Sequence, residues 1–438
     1  MTSSPPKDGK DTASAGADQA ATLRILSSLK DVPRTAWDEV ANPGWHLGER
    51  GLLEKVSGRA APDDLAALLG DDAAPSVEDV SFNPFLSHAF LEALEASGCA
   101  TAETGWLPRH MLLEDDTGTL LGAVPAYLKG HSQGEYVFDH GWAEAFHRAG
   151  GDYYPKLQVS VPFTPATGRR FLTRAGVNRE AGLQALAAGL VQVCRRTGAS
   201  SVHATFLTRP EWDSLGELGY LQRTDQQFHW ENNGYDSFEG FLGDLASRKR
   251  KAIRKERREA LSAEGIEVEW VTGSDLTEAH WDAFYTFYLD TGSRKWGRPY
   301  LNRAFFSLIN ERLADRTLLV MAKRNGRYVA GALNFIGSDT LFGRNWGCTE
   351  HHPFLHFELC YYQAIDFAIA HGLKRVEAGA QGAHKLARGY LPATTYSAHW
   401  IAHEGLHDAV ADFLEHERAA VEQENAALAE HAPFRKDG

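Results

Sequence analysis

A chain of 438 residues with 43% hydrophobic and 24% charged side chains is too long for one compact core and too apolar to be disordered, so it calls for two domains or one doubled domain. The net charge of −13 excludes indiscriminate coating of nucleic acid or anionic membrane, and no apolar run approaches the ~20 residues that span a bilayer, which excludes stable membrane insertion. Four separated cysteines without a CxxC pair, Cys99, Cys194, Cys348 and Cys360, fit neither a disulfide framework nor a zinc finger and suit a reducing, cytoplasmic compartment.

Residues 1–20, rich in Ser, Ala, Gly, Asp and Pro and lacking a signal-peptide core, read as a disordered leader. Residues 20–80 are poorly punctuated, and Asn83 and Pro84 then mark a turn before a helix over 88–96. At 109–118 an apolar strand ends in a polar turn closed by Gly118, and a second strand carries Gly122 and Ala123. The same hairpin grammar returns at 317–326, followed by a strand with Gly331 and Ala332. Residues 137–142 are expected to answer 341–347, and 153–157 to answer 351–355. Helices over 182–194 and 357–370 each stop at a glycine, Gly198 and Gly372, suited to a left-handed cap, before strands at 201–206 and 375–378. The order predicts a mixed α+β fold, duplicated in tandem, whose unit is an antiparallel meander followed by a crossover helix. No strand leads into GxGxxG or GxxxxGK[ST], which removes Rossmann and P-loop readings. The expected organisation is a first unit at 21–234 with an N-terminal extension, a second at 235–402 beginning with a basic helix, and a C-terminal helix and tail at 403–438.

The duplicated order, with a basic helix between the copies, resembles the Fem-type aminoacyl transferases, most closely a bacterial FemAB-like, GNAT-fold family of peptidoglycan-biosynthesis proteins. The stretches that carry the resemblance are 83–90, 245–258, 355–362 and 377–390, and it covers most of 80–402. It implies a tandem duplicated GNAT (acyl-CoA N-acyltransferase) fold and an acyltransferase that moves an aminoacyl or acyl group onto an amine, on a peptidoglycan precursor or another small molecule. Aminoacyl-tRNA or acyl-CoA would be the co-substrate, and no further cofactor is implied. The chain lacks the [Arg/Gln]-x-x-Gly-x-[Gly/Ala] loop that holds a pyrophosphate, which favours aminoacyl-tRNA. An acetyl-CoA-dependent N-acetyltransferase and a non-catalytic RNA- or precursor-binding module stay as alternatives.

Acyl transfer to an amine requires a proton acceptor, oxyanion donors and a grip on the donor. The loop after 375–378 is richest in these: His384 as proton acceptor, Lys385 as a further catalytic candidate able with Arg388 to hold phosphate or carboxylate, and Gln381, Arg388 and Tyr390 to bind substrate, on glycines that admit a close backbone approach. Glu358, at the start of the second helix, is expected to orient or deprotonate the amine, with His356 beside it. The histidines at 351, 352 and 356 with Glu350 match no zinc spacing, so no metal is expected. In the first copy Asp139, His140, Trp142 and Lys156 are candidates for reading the acceptor. Residues 248–258 hold eight cations in eleven positions; on a helix Arg250, Arg254 and Arg257 align as a stripe that could track phosphates of tRNA or of a nucleotide-linked precursor, with 293–298 adding cations and an aromatic face.

Overall fold

The structure, a computed structural model, describes residues 21–56, 80–295, 299–379, 382 and 384–435, without the side chains of 293–295. The leader and Gln381 lie outside the described residues, as does 293–298 apart from the helical backbone of 293–295. In the first half the strands are β1 (Thr22–Leu26), β2 (Trp45–Leu47), β3 (Leu53–Lys55), β4 (Trp106–Pro108), β5 (His110–Glu114), β6 (Leu120–Val124), β7 (Ala126–Lys129), β8 (Lys156–Val159), β9 (Leu172–Thr173), β10 (Ser201–Leu207) and β11 (Leu221–Glu231). The second half adds β12 (Ile266–Thr272), β13 (Thr317–Arg324), β14 (Arg327–Ile336), β15 (Thr340–Cys348), β16 (Arg375–Glu377) and β17 (Leu391–Ile401).

Alternation sets the faces of these strands. In β10 Val202, Ala204 and Leu207 enter the core under the helix Arg179–Thr197, while Ser201, His203 and Thr205 are buried on the other side. Glycine ends the helices as expected: Gly198 (φ 69°) caps Arg179–Thr197 by donating to the Cys194 carbonyl, and Gly372 (φ 65°) follows Gln363–Ala370. The helices His88–Ala96 and Glu404–Glu430 stand where the sequence puts them.

Eleven strands form one sheet in the order β12-β13-β14-β15-β16-β11-β17-β10-β8-β7-β4, and β1-β5-β6-β9 form a smaller one. The duplication is visible as topology. β7–β8 and β14–β15 are antiparallel, β8–β10 and β15–β16 are parallel, and a helix crosses between each parallel pair. In the first copy Pro125 breaks the strand equivalent to β14, so β6 joins the small sheet and β7 the large one. The copies also exchange their last strands. β11 of the first pairs with β16 of the second, β17 of the second pairs with β10 of the first, and β11 and β17 pair antiparallel at the centre, from Leu221↔His399 to His229↔Leu391. One aromatic core, with Phe85, Phe90, Trp281, Phe306, Phe335 and Phe342, runs across both halves.

Two expected correspondences are corrected. Residues 137–142 lead into the helix His140–Arg148 and not into a strand, because Trp142 is buried on a helix whose Ala143 and Phe146 pack beside it at the periodicity of a helix face. Residues 153–157 enter strand β8, whereas 351–355 enter a helix. The first-copy counterpart of β15 is β8.

Candidate functional site

The parallel ladder between β15 and β16 is short, running only from Thr340↔Arg375 to Phe342↔Glu377. Beyond it β15 stays bonded to β14 as far as Cys348↔Ala330, while the chain after β16 follows β11 through Ala378 and Gly379. The two strands therefore part. Residues 343–346, central in an eleven-stranded sheet, are half-exposed for that reason. The first copy parts in the same way after Val159↔Ala204, but there residues 160–166 are buried throughout and fill the gap. Among the described residues, the second copy is the one whose parted strands stay partly exposed.

Over this wedge lies the loop that follows β16. Lys385 donates to the carbonyls of Ala378 (2.7 Å) and Gly379 (3.0 Å), which ties the loop to the strand end. Burial pulls the Lys385 ammonium down to about 8. His384 Nε2 meets the Tyr361 hydroxyl at 3.0 Å, and its ring stacks on Phe357 at 5.5 Å with His356 at 6.4 Å. Partial burial, then Arg388 and Lys385, hold the His384 imidazole below its ordinary value, so it is a neutral base at pH 7. The aromatic residues come from a π-helical turn, Glu358–Tyr362, between Leu355–Phe357 and Gln363–Ala370. The extra residue per turn rotates Tyr361 toward the loop and Tyr362 toward the basic helix. Tyr390 is fully buried and donates to the Tyr361 carbonyl at 3.0 Å, fixing that turn from below.

The basic helix, Ser247–Ala260, forms the outer wall. Its stripe is spent on protein partners, although Arg254 itself stays exposed. Arg257 grips Glu358 with two bonds (3.1 and 2.8 Å), reaches Asp366 at 2.6 Å and covers the Phe238 ring; Arg254 pairs with Glu239; and Arg250 approaches the Gly243 carbonyl at 3.4 Å. Glu358 is fully buried, with Arg257 and Gln363 on its oxygens, so the structure makes it the anchor of this helix. Arg248 and Lys249 turn the other way. With Ala252, Ile253 and Glu256 they face Ala387 and Arg388 across a cleft of ≈ 420 Å³. Arg388 donates to Glu256 at 2.9 Å and to the His384 carbonyl at 2.6 Å, and lies 3.5 Å over the Phe357 ring. Its buried Nε has no partner among the described residues. The cleft thus carries three cations against one carboxylate.

The family model for FemAB_like proteins, described as peptidoglycan biosynthesis/recognition, matches residues 67–436. The chain belongs to the FemAB_like family. A comparison with curated proteins finds no match. Among solved structures this FemAB-like protein is similar to FemX (13% identity, 74% of this chain and 93% of that one, TM-score 0.47) and to L-PGS from Bacillus licheniformis (10% identity, 76% and 98%, TM-score 0.46). It is also similar to a tandem GNAT protein from the clavulanic acid biosynthesis pathway (13% identity, 87% and 98%, TM-score 0.42).

The first-copy candidates of the FemAB-like chain sit elsewhere. β11, β17 and β10 separate β16 from β8, roughly 19 Å at ~4.8 Å per step. There Lys156 donates to Asp139 (2.5 Å), Glu135 (2.6 Å) and Ser132 (2.7 Å), all buried. Tyr153 donates to Asp139 at 2.7 Å, and His203 meets His399 at 2.7 Å beneath Trp142. Burial opposes the charge on Lys156, but Glu135 and Asp139 hold it above its ordinary value. His140 is exposed against Phe138. Sequence reasoning passed over Glu377, Arg344, Tyr361 and Glu256. Glu377 had a signal, an acid closing a three-residue strand; the others depend on packing. Among the described residues no group of three or more His, Cys, Asp or Glu could hold a metal ion, and no helix is long and apolar enough to cross a membrane.

Proposed function

We propose that this FemAB-like protein is an acyltransferase that moves an aminoacyl group onto an amine of a peptidoglycan precursor or a related small molecule, and that the reaction occupies the wedge of the second copy. The observation that carries the reading is the parting of β15 from β16 beneath a neutral imidazole. An opened central strand offers unpaired backbone groups to an acyl carbonyl, and His384 is placed to receive the proton released as the amine attacks. Arg248, Lys249 and Arg388 hold phosphate of the donor, in the role the sequence gives to Arg250, Arg254 and Arg257. Lys385 holds the loop against the strand. Aminoacyl-tRNA is the donor class preferred, since its phosphates need no pyrophosphate loop.

The test supplies the purified protein with labelled aminoacyl-tRNA, or with labelled acetyl-CoA, and an amine-bearing muropeptide. Transfer from tRNA, reduced on the order of 10²-fold or more in His384→Gln with an unchanged circular dichroism spectrum, is expected. Wild-type turnover in the variant removes His384 from the reaction, and transfer from acetyl-CoA alone replaces the donor.

A further inference from the structure

Glu377 closes β16 at the point where the wedge begins. Its register neighbours are Phe342 on β15 and His229 on β11, which places its side chain on the face turned toward the first half. That half comes close here: Arg344 donates to the Phe163 carbonyl, and Gln227 donates to the Pro165 carbonyl at 2.7 Å. The carboxyl group is 5% exposed, yet its Oε2 has no hydrogen-bond partner among the described residues. Neighbouring cations are committed elsewhere. Arg375, on the same strand, turns to Glu231 at 2.6 Å; Arg344 reaches Phe163; and Arg170 spends its guanidinium on the carbonyls of Ala166, Gly168, Arg169 and Thr205. Access comes through the wedge, since Ala378 and Gly379 are half-exposed, as are residues 343–346. Gly343 permits the closeness, because a Cβ there would stand 3.2 Å from the Glu377 carbonyl oxygen. A buried acceptor oxygen without a donor costs free energy unless something supplies one.

We infer that Glu377 is the docking group for the primary amine of the acceptor, which reaches it through the wedge, while the cationic cleft on the other side of the sheet takes the donor. The inference rests on the acyl-transfer reading for its context, but it concerns binding and can be tested without turnover. The donor cleft and the His384 loop lie with the basic helix and the helix Leu355–Ala370, whereas Glu377 faces the first half. The two substrates then meet through the parted strands. An amine fits because it brings N–H donors to an oxygen that has none among the described residues, and a positive charge closer than the Arg375 and Arg344 guanidinium groups, which are hydrogen-bonded elsewhere.

A second physical property supports a direct readout. Burial first, with Glu231 and Asp339 adding to it and Arg375 and Arg344 opposing, lifts the Glu377 carboxyl to about 8. His229 faces it from β11 and is itself held neutral by burial, at about 3. At pH 7 the empty group is therefore mostly protonated. Docking an ammonium converts it to carboxylate, and the proton leaves to the buffer.

The experiment is calorimetric titration at pH 7 with acetyl-Ala-Lys-Ala-amide and with its Nε-acetylated form, each in two buffers of different ionisation enthalpy. The wild-type protein should bind the free amine at least about tenfold more tightly than the acetylated peptide. It should also release close to one proton per amine bound. Glu377→Gln should bind both peptides alike and release none. Equal binding of the two peptides by the wild type, absence of amine binding, or a Glu377→Gln protein that keeps both the preference and the proton release overturns the inference. The wild-type buffer comparison stands even if the variant fails to fold. A protein that docks the amine but transfers no acyl group refutes the reaction and leaves this site.

Discussion

Replacing Lys156 with Met removes the one ammonium that three buried groups share. The side chains of Lys156, Glu135 and Asp139 are 0%, 2% and 3% exposed, so the two carboxylates left behind cannot turn to water. Lys129 lies 3.6 Å from Glu135, but burial has drawn it down to about 7, and it replaces only part of the lost charge. Breaking a buried pair by deleting one partner costs about 3–5 kcal/mol, and two stranded anions put this case near 4 kcal/mol. Unfolding entropy of about 2.1 cal/mol/K per residue gives roughly 0.9 kcal/mol/K for the whole chain, so Tm should fall by about 4 °C. Differential scanning calorimetry at pH 7 measures it. The triple variant Lys156→Met, Glu135→Gln, Asp139→Asn should recover most of the loss, since neutral groups of similar shape leave no buried charge. The wild type should also lose stability in acid through this cluster. Asp139 is held well below its ordinary 3.8 by Lys156 and then His203 against the pull of burial, so its contribution is complete above 3.8 and drains as the pH falls through the depressed value. A Lys156→Met loss under about 1 kcal/mol, or a triple variant no better than the single, would refute the reasoning.

His203 and His399 add a separate pH dependence: burial first, and for His203 Lys156 next, holds it at about 3, and His399 well below 6.5. The unfolded chain takes up protons below pH 6.5 that the folded chain refuses, so stability should fall by up to about 1.4 kcal/mol per pH unit for each; urea titrations at pH 7, 6 and 5 should show the slope, and His399→Gln should reduce it. Replacing both Arg248 and Lys249 with Ala should weaken tRNA binding and reduce its log–log salt slope by about 1.5–2, measured by filter binding, with an unchanged slope removing both residues from the phosphate contact. Gly347→Ala should destabilise by about 1–3 kcal/mol in chemical denaturation, because its Cβ would lie 2.1 Å from the Phe287 carbonyl oxygen, where backbone must move.

What the sequence made legible was local. The glycine caps at Gly198 and Gly372, the hairpin that carries Gly331 and Ala332, and the helix Glu404–Glu430 follow from neighbours within a few turns. The family resemblance was legible as well, and the family match covers the same stretches. Long-range pairing was not. Nothing in the alternation of β11 says that its partner lies some 170 residues on, since one face pattern suits many neighbours. Residues 137–142 misled because Asp139, expected to read the acceptor, gives its carboxylate to Lys156 and Tyr153 while its backbone begins a helix. For the loop, sequence placed His384, Lys385 and Arg388 together and the structure does so too. For Glu358 and Arg257, helical spacing gave the correct face without revealing that they pair with each other against the protein, while Arg254 stays exposed beside Glu239.

The exchange of final strands constrains how such a chain folds. A single copy with this connectivity would leave a slot beside its own β10 or β16, with bare backbone groups on both sides. In this chain the last strand of each half closes the slot of the other. In the present chain neither half is complete until ribosomal synthesis has passed Ile401, and a fragment ending at β11 should dimerise or aggregate rather than stand alone.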